Sequence, residues 1–219
     1  MTTYVTGECT SAARITRSLL GYGVLAGPLY VGVSLAQALT RDGFDLSRHA
    51  WSLLANGDLG WIQITNFIVT GLATVAAALG LRRAPAGRLA PALIAAYGVS
   101  LVAAGMFRAD PAQGFPAGTP ETTPISWHGA LHLVIGGVGF VCVGAACFVL
   151  AGRFSRQGRR GLARFSLFTG VVFLAGFAGI ASGSHGPTTL AFVAAVGLLW
   201  AWLATICVHF YRVLADAAA

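Results

Sequence analysis

Five stretches of this chain contain no aspartate, glutamate, lysine or arginine, and each is long enough to cross a lipid bilayer. They are residues 18–40, 59–81, 89–107, 122–152 and 165–211. A membrane-spanning helix needs about 20 consecutive, mostly apolar residues. The last stretch is too long for one helix, and it is interrupted by Gly and Pro between residues 182 and 187. The pattern therefore predicts six transmembrane helices, at 18–39, 60–81, 89–107, 127–152, 165–182 and 188–211.

The overall composition argues against a soluble protein. Of the 219 residues, 56% are hydrophobic and only 10% are charged, and the mean hydropathy is +0.75. Soluble domains carry about 25% charged residues. We therefore expect an all-α integral membrane bundle in which residues 1–219 form a single six-helix domain surrounded by membrane lipids.

The arginines predict the orientation of this bundle. The chain has 14 basic residues, all of them arginine, and most fall at alternate ends of the predicted helices: Arg14, Arg17, Arg82, Arg83, Arg88, Arg153, Arg156, Arg159, Arg160, Arg164 and Arg212. The other three are Arg41, Arg48 and Arg108. Because cytoplasmic loops are enriched in basic residues, we expect both termini in the cytoplasm of a plasma-membrane protein. The net charge of +7 then reflects topology, and no nucleic-acid partner is expected.

Polar residues inside the predicted helices gather near the extracytoplasmic end. The set comprises Tyr30, Ser34 and Gln37 in helix 1, Gln63, Asn66 and Thr70 in helix 2, Tyr97 and Ser100 in helix 3, and His128 and His132 in helix 4, with His185 between helices 5 and 6. Hydrogen bonds between helices explain any one of these residues. Polar groups in a membrane are costly and often functional, so the one-sided grouping predicts a pocket at that end.

Aromatic residues accompany these polar positions in the predicted outer loops. Trp51, Trp61, Phe107, Phe115 and Trp127 lie in or beside the segments that join helices 1 to 2 and 3 to 4. Tryptophans at such positions are also common as anchors at the membrane surface. The sequence therefore leaves two interpretations open for them, the wall of a pocket and the interfacial belt.

The order of these residues resembles a bacterial six-helix membrane family called domain of unknown function 998, over about residues 15–212. The resemblance is carried by Arg48-His49, Ser52, Asn56-Gly57, Gly60-Trp61-Ile62-Gln63, Asn66-Phe67, Phe107, Asp110-Pro111, Gly114, Pro116, Ser126, His128-Gly129 and His132. It implies the fold and no activity. A looser likeness links the chain to small actinobacterial membrane-bound terpene cyclases, although no cyclase motif matches residue by residue.

The leading functional hypothesis is a membrane enzyme, an isomerase or lyase that cyclises an isoprenoid or lipid-like substrate after protonating it. Such a reaction needs a carboxylic acid kept protonated in an apolar site. Asp110 is the first candidate and Asp58 the second, with His128 or Asn66 orienting the acid. Aromatic faces stabilise carbocations, and no cofactor is needed. The expected substrate-binding residues are Tyr30, Trp51, Trp61, Gln63, Asn66, Phe107, Phe115, Trp127, His132 and His185.

A second hypothesis is a zinc-dependent hydrolase of a lipid ester or amide. His128 and His132 are four residues apart and therefore share one helical face, as two metal ligands on a helix must. His185 and Asp110 would complete the coordination, and zinc would activate water. This set resembles the one in membrane ceramidases, where Ser126 or Ser184 would match the family's serine.

A third hypothesis involves no catalysis, only lipid binding, transport or an accessory role. Transporters usually show inverted repeats or helices broken at mid-membrane, and apart from Pro28 in helix 1 the sequence shows neither. The one-sided polar grouping favours a binding site over a passive scaffold.

Overall fold

The computed structural model describes residues 11–183 and 186–216. It confirms the predicted all-α bundle of six helices, each long and apolar enough to cross a membrane, and the described residues form no β-strand. The helices are α1 (Ser11–Thr40), α2 (Gly60–Arg83), α3 (Leu89–Met106), α4 (Trp127–Arg156), α5 (Arg160–Ala181) and α6 (Gly186–Asp216). One short 3-10 helix, Trp51–Ala55, lies in the connection between α1 and α2.

Several helices are longer than the sequence predicts, mainly at the arginine-bearing ends. Helix α1 begins at Ser11 and not at residue 18, and α4 continues to Arg156. Each predicted helix ends where charged residues begin, because charged residues mark the edge of the hydrocarbon core of the membrane. Backbone hydrogen bonds continue beyond that edge because arginine is a good helix former in water.

The six helices form a closed ring in which each helix packs against the next and α6 returns to α1. Small residues allow the close approaches. A Cβ atom on Gly71 of α2 would lie 2.6 Å from the carbonyl oxygen of Gly98 in α3, and a Cβ on Gly27 of α1 would lie 2.8 Å from the Trp200 side chain in α6. Such contacts are typical of helices that pack in lipid.

The two ends of the ring differ in chemistry. At one end the start of α1 meets the end of α6, where the Arg17 guanidinium lies 4.3 Å from the centre of the Tyr211 ring. This end, which we call the arginine-rich end, carries both described termini and the connections 84–88 and 157–159. The opposite end carries the two longest connections, 41–59 and 107–126, and we call it the Asp110 end.

The two connections at the Asp110 end fold together into a cap. The Arg41 guanidinium donates hydrogen bonds to the carbonyl oxygens of Leu54 (2.5 Å) and Asn56 (2.6 Å) and stacks over Phe115. Burial lowers the pKa of Arg41, and the nearby negative charge of Asp58 partly offsets this effect. These contacts hold the 3-10 helix against the bundle.

A buried histidine joins the two connections of the cap. His49 Nδ1 accepts a hydrogen bond from the backbone N–H of Asp45 (2.9 Å), so Nε2 carries the proton and donates to the Gln113 carbonyl oxygen (2.9 Å). Beside it, an exposed ion pair links Arg48 to Glu121 at 2.8 Å. The cap is thus fixed by polar contacts between segments that are distant in sequence.

Candidate functional site

A cavity of about 510 Å³ lies inside the ring at the Asp110 end. All six helices and both connections of the cap contribute to it, and we call it the bundle cavity. Its rim is polar and includes Ser52, Asp110, Gln113 and Thr123. Its wall is aromatic, formed by Tyr30, Trp51, Phe67, Tyr97, Phe140, Phe177 and Phe192. Clefts of roughly 300–1,000 Å³ with mostly apolar walls and a few polar groups are typical small-molecule sites.

The lining of the bundle cavity includes exposed residues on the α4 and α5 side of the ring. Toward the arginine-rich end these helices pack tightly, because a Cβ atom on Gly144 or Gly170 would overlap side chains of the other helix. Toward the Asp110 end, α5 is described throughout and contains no buried residue after Phe173. Leu133 of α4 lines the cavity and yet is 63% exposed. The cavity therefore reaches the outer surface of the ring at Leu133.

Asp110 lies at the rim of the bundle cavity, where it caps the start of α4. Its two carboxylate oxygens accept hydrogen bonds from the backbone N–H (2.8 Å) and the side-chain hydroxyl (2.5 Å) of Ser126. The Ser126 hydroxyl oxygen in turn accepts from the backbone N–H of Gly129 at 3.1 Å. Negative charge is stabilised at a helix N-terminus, and both carboxylate oxygens act as hydrogen-bond acceptors there. Position 129 must be glycine here, because a Cβ atom would overlap the Asp110 carboxylate.

The two histidines of α4 face different cavities, although they are one helical turn apart. His132 lines the bundle cavity, and its Nδ1 lies 2.8 Å from the Phe107 carbonyl oxygen at the end of α3. His128 is exposed, stacks on Trp127 with 3.5 Å between ring centres, and lines a second, surface cavity of about 460 Å³. Arg108 and Asp110 share that second cavity.

The zinc hypothesis gains no support from the described part of the chain. Within residues 11–183 and 186–216, no three histidine, cysteine, aspartate or glutamate side chains are placed to hold a metal ion. The third proposed ligand, His185, lies outside the described residues, as does Ser184. A zinc site that includes His185 therefore stays a prediction.

The aromatic residues predicted for the site are only partly brought together. Tyr30 and Trp51 line the bundle cavity. Trp61 and Trp127 are 62% and 65% exposed, which is the arrangement of interfacial anchors. Two further aromatic side chains lie outside the cavity lining. Phe107 packs against Trp127 and His128. Phe115 is buried in the cap. The alternative catalytic acid, Asp58, is exposed and lines neither cavity.

Gln63 and Asn66 lie in a polar network between α1 and α2 and do not line the cavity. The Gln63 side-chain oxygen accepts hydrogen bonds from Gln37 Nε2 (2.9 Å), Ser34 Oγ (3.3 Å) and Asn66 Nδ2 (3.3 Å). Asn66 Nδ2 also lies 3.2 Å from the backbone oxygen of Tyr30. The structure thus shows hydrogen bonding between helices for these residues, and their contact with a substrate stays a prediction.

Sequence analysis missed much of the cavity wall. Phe140, Phe177 and Phe192 line the cavity, but the prediction concentrated on polar groups and on aromatics in the outer loops. The available signal was Phe140 near the middle of a predicted span, away from the interfaces where aromatic residues usually concentrate. His49 and Arg41, which hold the cap, were also not predicted as part of the site.

Comparison with known proteins identifies a family but no activity. A family model described as "Protein of unknown function (DUF998)" matches residues 24–209. Because this covers most of the chain, the chain belongs to that family. No curated protein and no solved structure matches it. The looser likeness to terpene cyclases is therefore not supported.

Proposed function

We propose that this member of the DUF998 family takes an isoprenoid or other lipid-like molecule from the bilayer into the bundle cavity. The observation that carries the proposal is an apolar, aromatic-walled cavity inside the ring whose lining reaches the outer surface at Leu133 of α4. The molecule would enter there, through a gap between α4 and α5. Following the arginines, we place the arginine-rich end in the cytoplasm and the Asp110 end outside, in a plasma-membrane protein.

The shape and chemistry of the cavity favour a lipid-like molecule over a water-soluble one. The cavity reaches the surface at its rim, where Glu121 is exposed, and also at Leu133, on a part of α4 that we expect lipid to surround. Phe140, Phe177 and Phe192 pack edge to face at one side of the cavity, with ring centres 5.1 and 5.5 Å from Phe140. Such a wall offers apolar contact along the length of a hydrocarbon chain.

An enzyme acting on the same molecule is the second candidate function. It is favoured by the position of Asp110 beside aromatic walls, which would stabilise a carbocation. Acid-initiated cyclisation requires Asp110 to hold a proton, however, and both of its oxygens accept hydrogen bonds from Ser126. Binding needs no change in this arrangement, whereas proton donation needs these bonds to rearrange. We therefore rank lipid binding first.

Filling the cavity tests the proposal directly. A Cβ atom on Gly136 would meet nothing within 4 Å, and Gly136 lines the bundle cavity, so Gly136→Trp places an indole in it. Gly32→Trp is the matched control, because Gly32 is equally open but lies on the exposed surface of α1. The purified protein is reconstituted in phosphatidylcholine nanodiscs and labelled with farnesene carrying a photoreactive diazirine.

We expect labelled peptides from the cavity wall in the parent protein and in Gly32→Trp. In Gly136→Trp we expect that labelling to fall at least tenfold, while labelling of exposed α2 residues such as Leu72 stays constant. Equal cavity labelling in both tryptophan variants would contradict the proposal.

A further inference from the structure

Two tyrosine hydroxyls in the wall of the bundle cavity have no hydrogen-bond partner. Tyr30 lies near the middle of α1 and Tyr97 near the middle of α3, and both side chains line the cavity while being 7% and 2% exposed. Neither hydroxyl makes a hydrogen bond to any residue in the described part of the chain. Neither hydroxyl oxygen is fully enclosed by protein, so both are reached from the cavity and can bind a ligand there.

The tyrosine rings are held firmly, so their hydroxyls cannot easily turn toward other partners. Trp200 of α6 packs against both, with ring centres 5.3 Å from Tyr30 and 6.0 Å from Tyr97. Phe67 packs against Tyr30 and Phe140 against Tyr97. The surrounding wall is mostly apolar, and among residues 11–183 and 186–216 the only acidic or basic groups that line the cavity, apart from His132, are Asp110 and Glu121 at the rim.

This arrangement specifies the chemistry of what the hydroxyls bind. Each phenol hydroxyl can donate and accept a hydrogen bond, and a carbonyl oxygen is a neutral partner that accepts from it. A charged head group would lack a counter-charge at this depth, where desolvation makes charge costly. A plain hydrocarbon end would leave both hydroxyls unpaired.

We propose that the molecule in the cavity has a neutral, carbonyl-bearing head of the quinone type, with its carbonyl oxygens bound by the Tyr30 and Tyr97 hydroxyls. The apolar chain then extends along Phe140 and leaves the cavity through the gap between α4 and α5. This inference rests on the proposed function, and it adds the class of ligand and its direction, head inward and chain toward lipid.

Competition against the photoreactive farnesene tests the inference. Decylubiquinone and decylbenzene carry the same ten-carbon chain, and only the first has carbonyl groups. Each is added to the parent protein, to Tyr30→Phe/Tyr97→Phe and to the control Tyr22→Phe, whose side chain is exposed on α1. The readout is the competitor concentration that halves cavity labelling.

We expect decylubiquinone to compete at roughly tenfold lower concentration than decylbenzene in the parent and in Tyr22→Phe, as two modest hydrogen bonds would give. The double variant should lose this advantage while decylbenzene competes unchanged. Its melting temperature should not fall, because phenylalanine keeps the ring contacts and the hydroxyls made no bonds.

Two results would overturn the inference. One is equal competition by the two compounds in the parent protein, which is also the result expected if the hydroxyls bind only water. The other is a quinone advantage that survives in the double variant. Failure of the underlying proposal looks different, since Gly136→Trp would then leave cavity labelling by farnesene intact.

Discussion

Two groups of polar side chains lie within the membrane-spanning part of this protein, and they differ in how their hydrogen bonds are satisfied. Between α1 and α2, Ser34, Gln63 and Asn66 bind one another through bonds of 3.2–3.3 Å. In the bundle cavity, the hydroxyls of Tyr30 and Tyr97 have no partner in the described part of the chain. The first group joins two helices, whereas the second faces a space that a ligand can occupy.

The hydroxyls of the second group are therefore open to a ligand, whereas the side chains of the first group bind one another. A paired group contributes to stability and is insensitive to ligand. An unpaired group contributes nothing to stability and is sensitive to ligand. The substitutions below measure both properties, the free energy of unfolding and the cavity labelling by photoreactive farnesene.

The largest effect on stability is expected for Arg41→Ala in the cap. The substitution removes two charge-assisted hydrogen bonds to the Leu54 and Asn56 carbonyl oxygens, and we expect a loss of about 3 kcal/mol. Arg48→Ala is the control, because its ion pair with Glu121 is exposed and worth less than about 1 kcal/mol. Denaturation in detergent measures both, and equal losses would show that the Arg41 contacts do not hold the cap.

A smaller loss, about 2 kcal/mol, is expected for Gln63→Leu in the network between α1 and α2. Its oxygen accepts three hydrogen bonds, and bonds between helices in membranes are each worth about 0.6 kcal/mol on average. Unpaired donors left behind add to the loss. Cavity labelling should not change, and the exposed neighbour Thr65→Val serves as the control. Reduced labelling with unchanged stability would instead place Gln63 in the binding site.

Asp110→Asn should cost about 1 kcal/mol, the usual value of a polar cap at a helix N-terminus. Ser126 donates one hydrogen bond to each oxygen of the Asp110 carboxylate. The asparagine amide has only one oxygen and cannot accept both bonds in the same way. Asp58→Asn, at an exposed position, should change stability by less than about 0.5 kcal/mol. If Asp110→Asn kept its stability and lost a hundredfold or more of turnover on a prenylated substrate, Asp110 would be a general acid. The catalytic hypothesis would then rank above simple binding.

The smallest effect is expected for Tyr97→Phe. Its hydroxyl makes no hydrogen bond, so the free energy of unfolding should change by less than about 0.5 kcal/mol or rise slightly. Farnesene labelling should also stay constant, because the probe has no polar head. A clear loss of stability would mean that the hydroxyl has a partner, and the distinction between paired and unpaired groups would fail at this residue.

The fold was predictable from the sequence because a bilayer imposes a simple rule. Charge-free runs such as 59–81 and 89–107 had to become spans, and the Gly and Pro near residue 187 had to divide the longest run. The structure confirms six helices with starts and ends shifted mainly where arginines extend them into water, as at Arg156.

The site was less predictable, for two physical reasons. Helical periodicity shows which residues share a face, but it does not show what that face meets. Gln63 and Asn66 therefore looked like pocket residues, although they bind α1. In the same way, Phe140 and Phe192 cannot be told from ordinary packing residues until the ring closes around an open space.

The most direct measurement of the central claim is a density map of the full chain in lipid nanodiscs with decylubiquinone added. The account predicts an elongated density that begins between Tyr30 and Tyr97, runs past Phe140 and leaves between α4 and α5. It also predicts that this density is absent from Gly136→Trp prepared in the same way. Ligand density confined to the outer surface of the helices, with an empty cavity in the parent protein, would contradict the account.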